Sequence, residues 1–134
     1  MAALGLSVYG QNPIDPALIA SGEMVERRYS HATTQLRDGR VLATGGGIPS
    51  SAGARASAEL YDPATGLWRR TGSLNFPRAR HASIRLPDGR VLVACGGVAA
   101  VEAFNPATET FSQVGDSVRS CTGFTHPDGR VFLL

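Results

Sequence analysis

The sequence predicts an all-β chain built from serial four-stranded units, on three observations. A segment of about fifty residues recurs; short apolar runs are punctuated by Asp-Gly and Asp/Asn-Pro turn signals; and no stretch carries a 3.6-residue apolar period, so helix is expected to be almost absent. The recurrence is plain in the letters. Arg28 to Gly46 returns as Arg78 to Gly97, with one inserted residue ahead of the glycines, and a third copy starts at Arg119 and runs through Asp128 to the end. Asp-Gly-Arg triplets therefore begin at 38, 88 and 128, giving periods of 50 and 40. Between them, Tyr61 to Trp68 (Tyr-Asp-Pro-Ala-Thr-Gly-Leu-Trp) returns as Phe104 to Phe111, aromatic to aromatic across the same interval.

Each unit resolves into strands a to d. Strand a is expected over 31–36 and strand b over 41–44, joined across Asp38-Gly39 as a tight hairpin whose two central residues take positive φ. Strand b is nearly all apolar in both copies, so both its faces should be buried. Strand c is placed at 58–61 and strand d at 67–70. Between them Pro63 presets φ early in the turn, Gly66 permits its exit and Asp62 caps it. The second unit repeats the plan over 81–86, 91–95, 101–104 and 110–114. The extra length of the first unit is the stretch Gly47 to Ala56, between the glycines and strand c.

Four segments follow from this reading. Residues 1–27 form a degraded half unit with strands c and d, since Tyr9 to Gly22 mirrors Tyr61 to Gly72. Residues 28–77 and 78–118 form two complete units, and 119–134 a half unit with strands a and b. Such units cannot bury both faces alone and must stack on neighbours. The flanking halves imply either a piece of a longer array or a homo-oligomer in which halves of different copies complete a ring. The fragment arrangement is the favoured one.

Composition excludes several classes. With 134 residues, 43% hydrophobic and 18% charged, and a mean hydropathy of −0.04, the chain is neither a disordered polar tail nor a fibrous protein. No apolar run approaches the roughly 20 residues that span a bilayer, and Met1 to Gly10 has no cationic leader, so neither membrane insertion nor secretion is expected from this chain. Its compartment stays open. All 13 basic residues are Arg, scattered among 11 acids, which is no clustered nucleic-acid footprint. Cys95 and Cys121 show no Cys/His ligand spacing and are too few for a disulfide scaffold. They are read as small buried hydrophobes, with a disulfide or a reactive thiol as the alternatives.

Units of this length, with Gly45-Gly46 and Gly96-Gly97 after strand b, Tyr61 with Trp68, and the pairs Arg28/His31 and Arg78/His81 ahead of strand a, resemble kelch repeats, the blades of a β-propeller. The wording is similar to bacterial kelch-like and galactose oxidase central-domain-like repeats. The likeness covers 28–134 well and 7–22 weakly. Phe104 and Phe111 depart from the usual Tyr and Trp, and Cys121 stands where His is expected. Apart from the likeness, glycine after strand b has a packing reason: near a propeller axis backbones crowd, and a residue without Cβ lets them approach. Trp68 and Phe111 should fill the space between neighbouring blades.

Antiparallel strands put the a-to-b and c-to-d turns at one end of a blade and the b-to-c and d-to-a connections at the other. The second end carries the longer loops, 47–56 and 75–78, and loops on rigid scaffolds carry binding. The resemblance implies the same face. The candidate ligand-binding residues are Ser50, Ser51, Arg55, Asn75 and Arg78, with Arg55 as an exposed donor to an anion or carboxylate. A ligand-free spacer is the competing reading of 47–56. His31 and His81 occupy equivalent places and are read as structural, His126 as a turn residue, and Asp38, Asp88 and Asp128 as turn formers. No catalytic residue, metal site or cofactor is assigned. Gly45-Gly-Gly47 lacks the Lys-Ser/Thr and helix of a phosphate loop. The resemblance to galactose oxidase would require Tyr, Cys and His to meet at the axis. Tyr29 and His31, expected on one side of a strand, do not complete such a set.

The functional expectation is an interaction module without catalysis of its own, taking a protein, a peptide or a carbohydrate on its loop face, with no nucleic-acid or membrane partner. The alternative is a fragment of a galactose oxidase-like copper-radical oxidase or glycan-processing propeller with its catalytic residues on missing blades.

Overall fold

The computed structural model describes residues 21–49, 51–117, 119 and 121–134. Ten strands, and no helix among the described residues, form three antiparallel sheets. The first blade has β1 (Ala32–Gln35), β2 (Val41–Thr44), β3 (Ala58–Asp62) and β4 (Leu67–Arg70) in the order β1-β2-β3-β4. The second has β5 (His81–Arg85), β6 (Val91–Cys95), β7 (Ala100–Asn105) and β8 (Thr110–Asp116) in the order β5-β6-β7-β8. The third sheet is the hairpin of β9 (Gly123–Thr125) and β10 (Val131–Leu133). These are two complete propeller blades and a following half blade, as expected. The leading half, placed at 1–27, lies almost wholly outside the described residues, and its described part, 21–27, contains no strand.

Strand a of each unit faces strand a of the next: β1 lies against β5, and β5 against β9. Between the two blades, Leu36, Leu42, Leu60 and Leu74 of the first pack on Val91, Val93 and Phe104 of the second, with Phe111 closing the edge. The apolar b strands are buried at nearly every position, because they have a strand on each side and a blade over the face. The bracketing aromatics sit directly opposite one another across the c-to-d turn. Tyr61 pairs with Trp68 at 5.2 Å between centroids and Phe104 with Phe111 at 4.9 Å, tilted geometries that suit cross-strand rings.

The a-to-b turn differs from the expectation. Leu36 and Arg40 still pair, Leu36 N–H donating to Arg40 O at 2.8 Å, so the loop has three residues and only its last, Gly39, takes positive φ, at 92°. Three-residue hairpins place their left-handed residue there, which explains Gly at 39, 89 and 129. Aspartate serves otherwise: each carboxylate accepts the backbone N–H of the arginine two residues on, at 3.0 Å in all three turns, and pairs with its guanidinium. The c-to-d turn is as expected, with Asp62 accepting from Ala64 N–H at 2.9 Å and Gly66 at φ 72°. In the second blade Glu109 holds that left-handed place at φ 56°.

The glycines after strand b carry a second correction. No residue is inserted ahead of them. Gly46 and Gly96 occupy the same place, each at positive φ with the preceding arginine and histidine of its own blade against its Cα. Cys95 therefore stands where the first blade has Gly45, and both are left-handed, at φ 69° and 57°.

Candidate functional site

At the b-to-c and d-to-a end, each blade is fastened by a buried ion pair that the sequence reading did not pick out. Arg28 meets Glu59 of β3 at 2.6 Å, and Arg78 meets Glu102 of β7 at 2.9 Å, all four side chains being fully shielded from solvent. The terminal guanidinium nitrogens find further acceptors, while Nε of each arginine is buried without a partner. Arg28 donates to the carbonyls of Gly45 (2.7 Å) and Ser57 (2.9 Å), and Arg78 to those of Cys95 (3.1 Å) and Ala100 (2.8 Å). Glu59 accepts the N–H groups of Val25 and Glu26 at 2.6 and 3.1 Å, and Glu102 those of Asn75 and Phe76 at 2.6 and 3.3 Å. Each pair thus pins the incoming d-to-a connection to the outgoing b-to-c connection of one blade. The signal was present as an acid in the midst of a buried strand, two residues ahead of the aromatic in both repeats: Glu59 before Tyr61 and Glu102 before Phe104. A charge repeated in an apolar strand demands a buried partner.

This geometry relocates most of the proposed contact residues. Arg78 is fully buried and its guanidinium is engaged by three acceptors, so it holds the fold and offers nothing to a loop-face ligand. Asn75 points its amide inward, Nδ2 donating to Glu102 at 2.9 Å. Arg55 is no free anion donor. Its Nη1 meets Glu26 at 3.2 Å and its Nε donates to Arg27 O at 3.2 Å. Glu26 also takes Arg70 at 2.8 Å and the Ser57 hydroxyl at 2.5 Å, and these partners, Ser57 foremost, hold its carboxyl below the usual range. Ser51 is exposed, donating its N–H to Ile48 O and accepting from Gly53 N–H, while Ser50 lies outside the described residues. The described residues of the 47–56 loop are tied by backbone hydrogen bonds at both ends. Gly47 and Tyr29 exchange backbone hydrogen bonds, and Arg55 N–H donates to Gly46 O at 2.8 Å.

What this end leaves to solvent overlaps the expected set at Ser51 and Asn75 and adds others. Tyr29 (47% exposed) and Phe76 (39%) stand out beside exposed Ser51, Arg27 and Arg80. The connections carrying them are tied across the blades, with Arg80 N–H donating to Ser30 O and Gly46 N–H to Arg78 O, both at 2.9 Å. The two aromatics were readable as the residue after Arg28 in one connection and two before Arg78 in the next.

The histidines are positioned by packing. His81 places Nε2 at 2.7 Å from the Thr44 hydroxyl of the preceding blade. Burial first, then the charge of Arg78, lowers its pKa to about 4, so the ring is neutral near pH 7. His31 is lowered for the same leading reason. Tyr29 and His31 do not share a strand face: Tyr29 precedes β1, and Ser30 between them is left-handed at φ 51°. Cys95 and Cys121 are joined as a disulfide, with their Cα atoms 5.7 Å apart, which corrects their reading as free buried hydrophobes. No group of three His, Cys, Asp or Glu side chains able to hold a metal occurs among the described residues. With the cysteines paired and His81 engaged by Thr44, these donors do not fit a copper centre.

No family model and no curated protein matches the chain. Among solved structures, it is similar to one described as a novel fungal alcohol oxidase with catalytic diversity among the AA5 family, in complex with copper. The two share 15% identity at a TM-score of 0.68, over 79% of this chain and 27% of that one. At that identity the likeness is one of fold, and it agrees with the blades described above; this chain spans about a quarter of that structure's length.

Proposed function

We propose that this chain is a kelch-type propeller segment that binds a protein, peptide or carbohydrate on its b-to-c and d-to-a face and carries out no catalysis of its own. The observation that supports it is the contrast within that face. Its recurrent charges are consumed by the buried Arg28–Glu59 and Arg78–Glu102 pairs, while Tyr29, Phe76 and Ser51 project from connections those pairs hold rigid. Exposed aromatics on a fixed framework give contact area at little entropic cost, and they suit the apolar face of a sugar ring or a peptide side chain. Ser51 belongs to the same rim, and Ser50 precedes it in the sequence. Arg55, Asn75 and Arg78 contribute by holding it.

The test is a panel of oligosaccharides and peptides titrated against labelled protein by NMR. Shifts gathered at Ser51, Tyr29 and Phe76, and lost in Tyr29→Ala/Phe76→Ala, are expected. Shifts clustered at the a-to-b turns instead would refute the assignment.

A second reading is favoured by the fold comparison: the segment belongs to a larger copper-dependent alcohol oxidase whose metal ligands lie on other blades. It predicts that the parent protein binds copper and releases hydrogen peroxide from alcohols. A parent protein without either activity removes it.

A further inference from the structure

The two junctions between successive blades are built differently, and the difference falls on one pair of positions. At the first junction Gly45 has no side chain, and a Cβ there would meet the carbonyl of Arg78 and lie 2.9 Å from the His81 ring. The ring occupies that space and bonds Thr44. Cys95 follows Gly45 by 50 residues, the interval from Asp38 to Asp88, and Cys121 follows His81 by 40, the interval from Asp88 to Asp128. At the second junction, therefore, cysteines replace both the glycine and the histidine that face each other at the first, and they are bonded. Ala94 replaces Thr44, so a histidine at 121 would have lost its hydroxyl partner as well.

Among the described residues, the other holding forces are weaker there. The first junction has the eight-residue apolar cluster around Leu36 and Phe104, together with Glu109 reaching back to Arg40 at 3.0 Å and Arg69 at 2.5 Å and the Thr34–Ser83 hydroxyl pair at 2.6 Å. At the second, the buried cluster is Ala94, Cys95 and Val101, touched by Leu92, Cys121 and Leu133. No ion pair between described residues crosses it, since those of Asp128 stay inside the hairpin. A backbone bond from Gly97 N–H to Arg119 O at 2.8 Å does cross.

We propose that Cys95–Cys121 is a redox latch that seats the β9–β10 hairpin on the second blade, closed under oxidising conditions and released on reduction. Cys121 is the half-buried partner and Cys95 is sealed, so an external thiolate attacks the Cys121 sulfur and Cys95 departs as thiolate. A second thiol of the reductant then resolves the mixed disulfide. Two electrons pass to the protein, the reductant becomes a disulfide, and each cysteine gains a proton.

The experiment is amide hydrogen exchange on the whole chain with and without dithiothreitol, thiols being counted by alkylation and mass. Reduction is expected to speed exchange of 123–125 and 131–133 by roughly a hundredfold while β1 to β8 hold their rates. Cys95→Ser/Cys121→Ser should show the fast hairpin in both conditions. Ala94→Thr/Cys95→Gly/Cys121→His rebuilds the first junction at the second and should slow the hairpin again, without response to reductant. Two free thiols before reduction, unchanged hairpin exchange after complete reduction, or equal acceleration in all ten strands each overturns the latch. The result is independent of ligand binding at Tyr29 and Phe76, so failure of one leaves the other standing.

Discussion

At the scale of single residues, burial separates arginines that the sequence presents alike. Arg78 and Arg55 both sit in loop segments at the same end, yet one is sealed against Glu102 and the other shares a partly solvated carboxylate. Arg78→Ala strands Glu102 in a dry site and should cost about 3 to 5 kcal/mol. Arg55→Ala should cost below about 1 kcal/mol. Urea unfolding reads both, and equal losses would contradict the assignment. His81 adds a pH dependence. Its folded pKa of about 4 lies below the usual value of 6.5, so the unfolded chain takes up the proton first. Stability is therefore complete above pH 6.5 and falls as the pH drops toward 4, by at most about 3 kcal/mol. Burial enforces this first, then the charges of Arg78 and His31. His81→Gln, which keeps a partner for Thr44, should flatten the stability profile between pH 6.5 and 4. An unchanged slope would assign the acid sensitivity elsewhere. Glu109 acts lower: its hydrogen bond from Arg69 first, then Arg40, brings it to about 2, and its contribution is lost as pH falls from 4.5 through that value.

At the scale of elements, most strands were legible because alternating or continuous apolar runs were bounded by turn residues whose backbone demands are local. The a-to-b turn was misjudged by one residue on its N-terminal side, since Asp-Gly fits both a two-residue and a three-residue hairpin; the pairing of Leu36 with Arg40 decides between them. Nor could one sequence show that Cys95 aligns with Gly45, because matching the double glycines invites an inserted residue, and a left-handed cysteine is unusual. The buried acids were missed for a related reason: Glu59 reads as solvent-facing until the arginine of the incoming loop is seen behind it. The element-scale prediction concerns Gly45. Its φ of 57° and the Arg78 carbonyl against its Cα make Gly45→Ala costly by about 1 to 3 kcal/mol, whereas at Gly66, also left-handed at φ 72°, a Cβ meets nothing and the cost is backbone strain alone. A larger loss at Gly66 than at Gly45 in thermal unfolding would argue that blade contact does not set the glycine requirement.

At the scale of the whole molecule, the repeat predicted blades that satisfy one another's faces, and the described residues show where that satisfaction stops. The third sheet has two strands, and among the described residues β10 has no neighbour on its outer edge. Phe124 (47% exposed) and Phe132 (36%) stack at 5.3 Å on the hairpin, with His126 edge-on and Arg130 over the Phe132 ring at 5.6 Å. These rings occupy the places of Ile84 and Leu92 in the second blade and of Thr34 and Leu42 in the first, where Leu42 is wholly buried against the next blade. A face built like a blade interior but left to water, beside an open strand edge, drives association. The chain alone is expected to associate with rising concentration. Phe124→Ser/Phe132→Lys should shift it toward monomer, because polar groups then cover the face and a charge sits on the β10 strand. Sedimentation velocity from micromolar to millimolar protein checks this. A single monomeric species throughout, with cooperative unfolding, would mean that two and a half blades suffice without a neighbour.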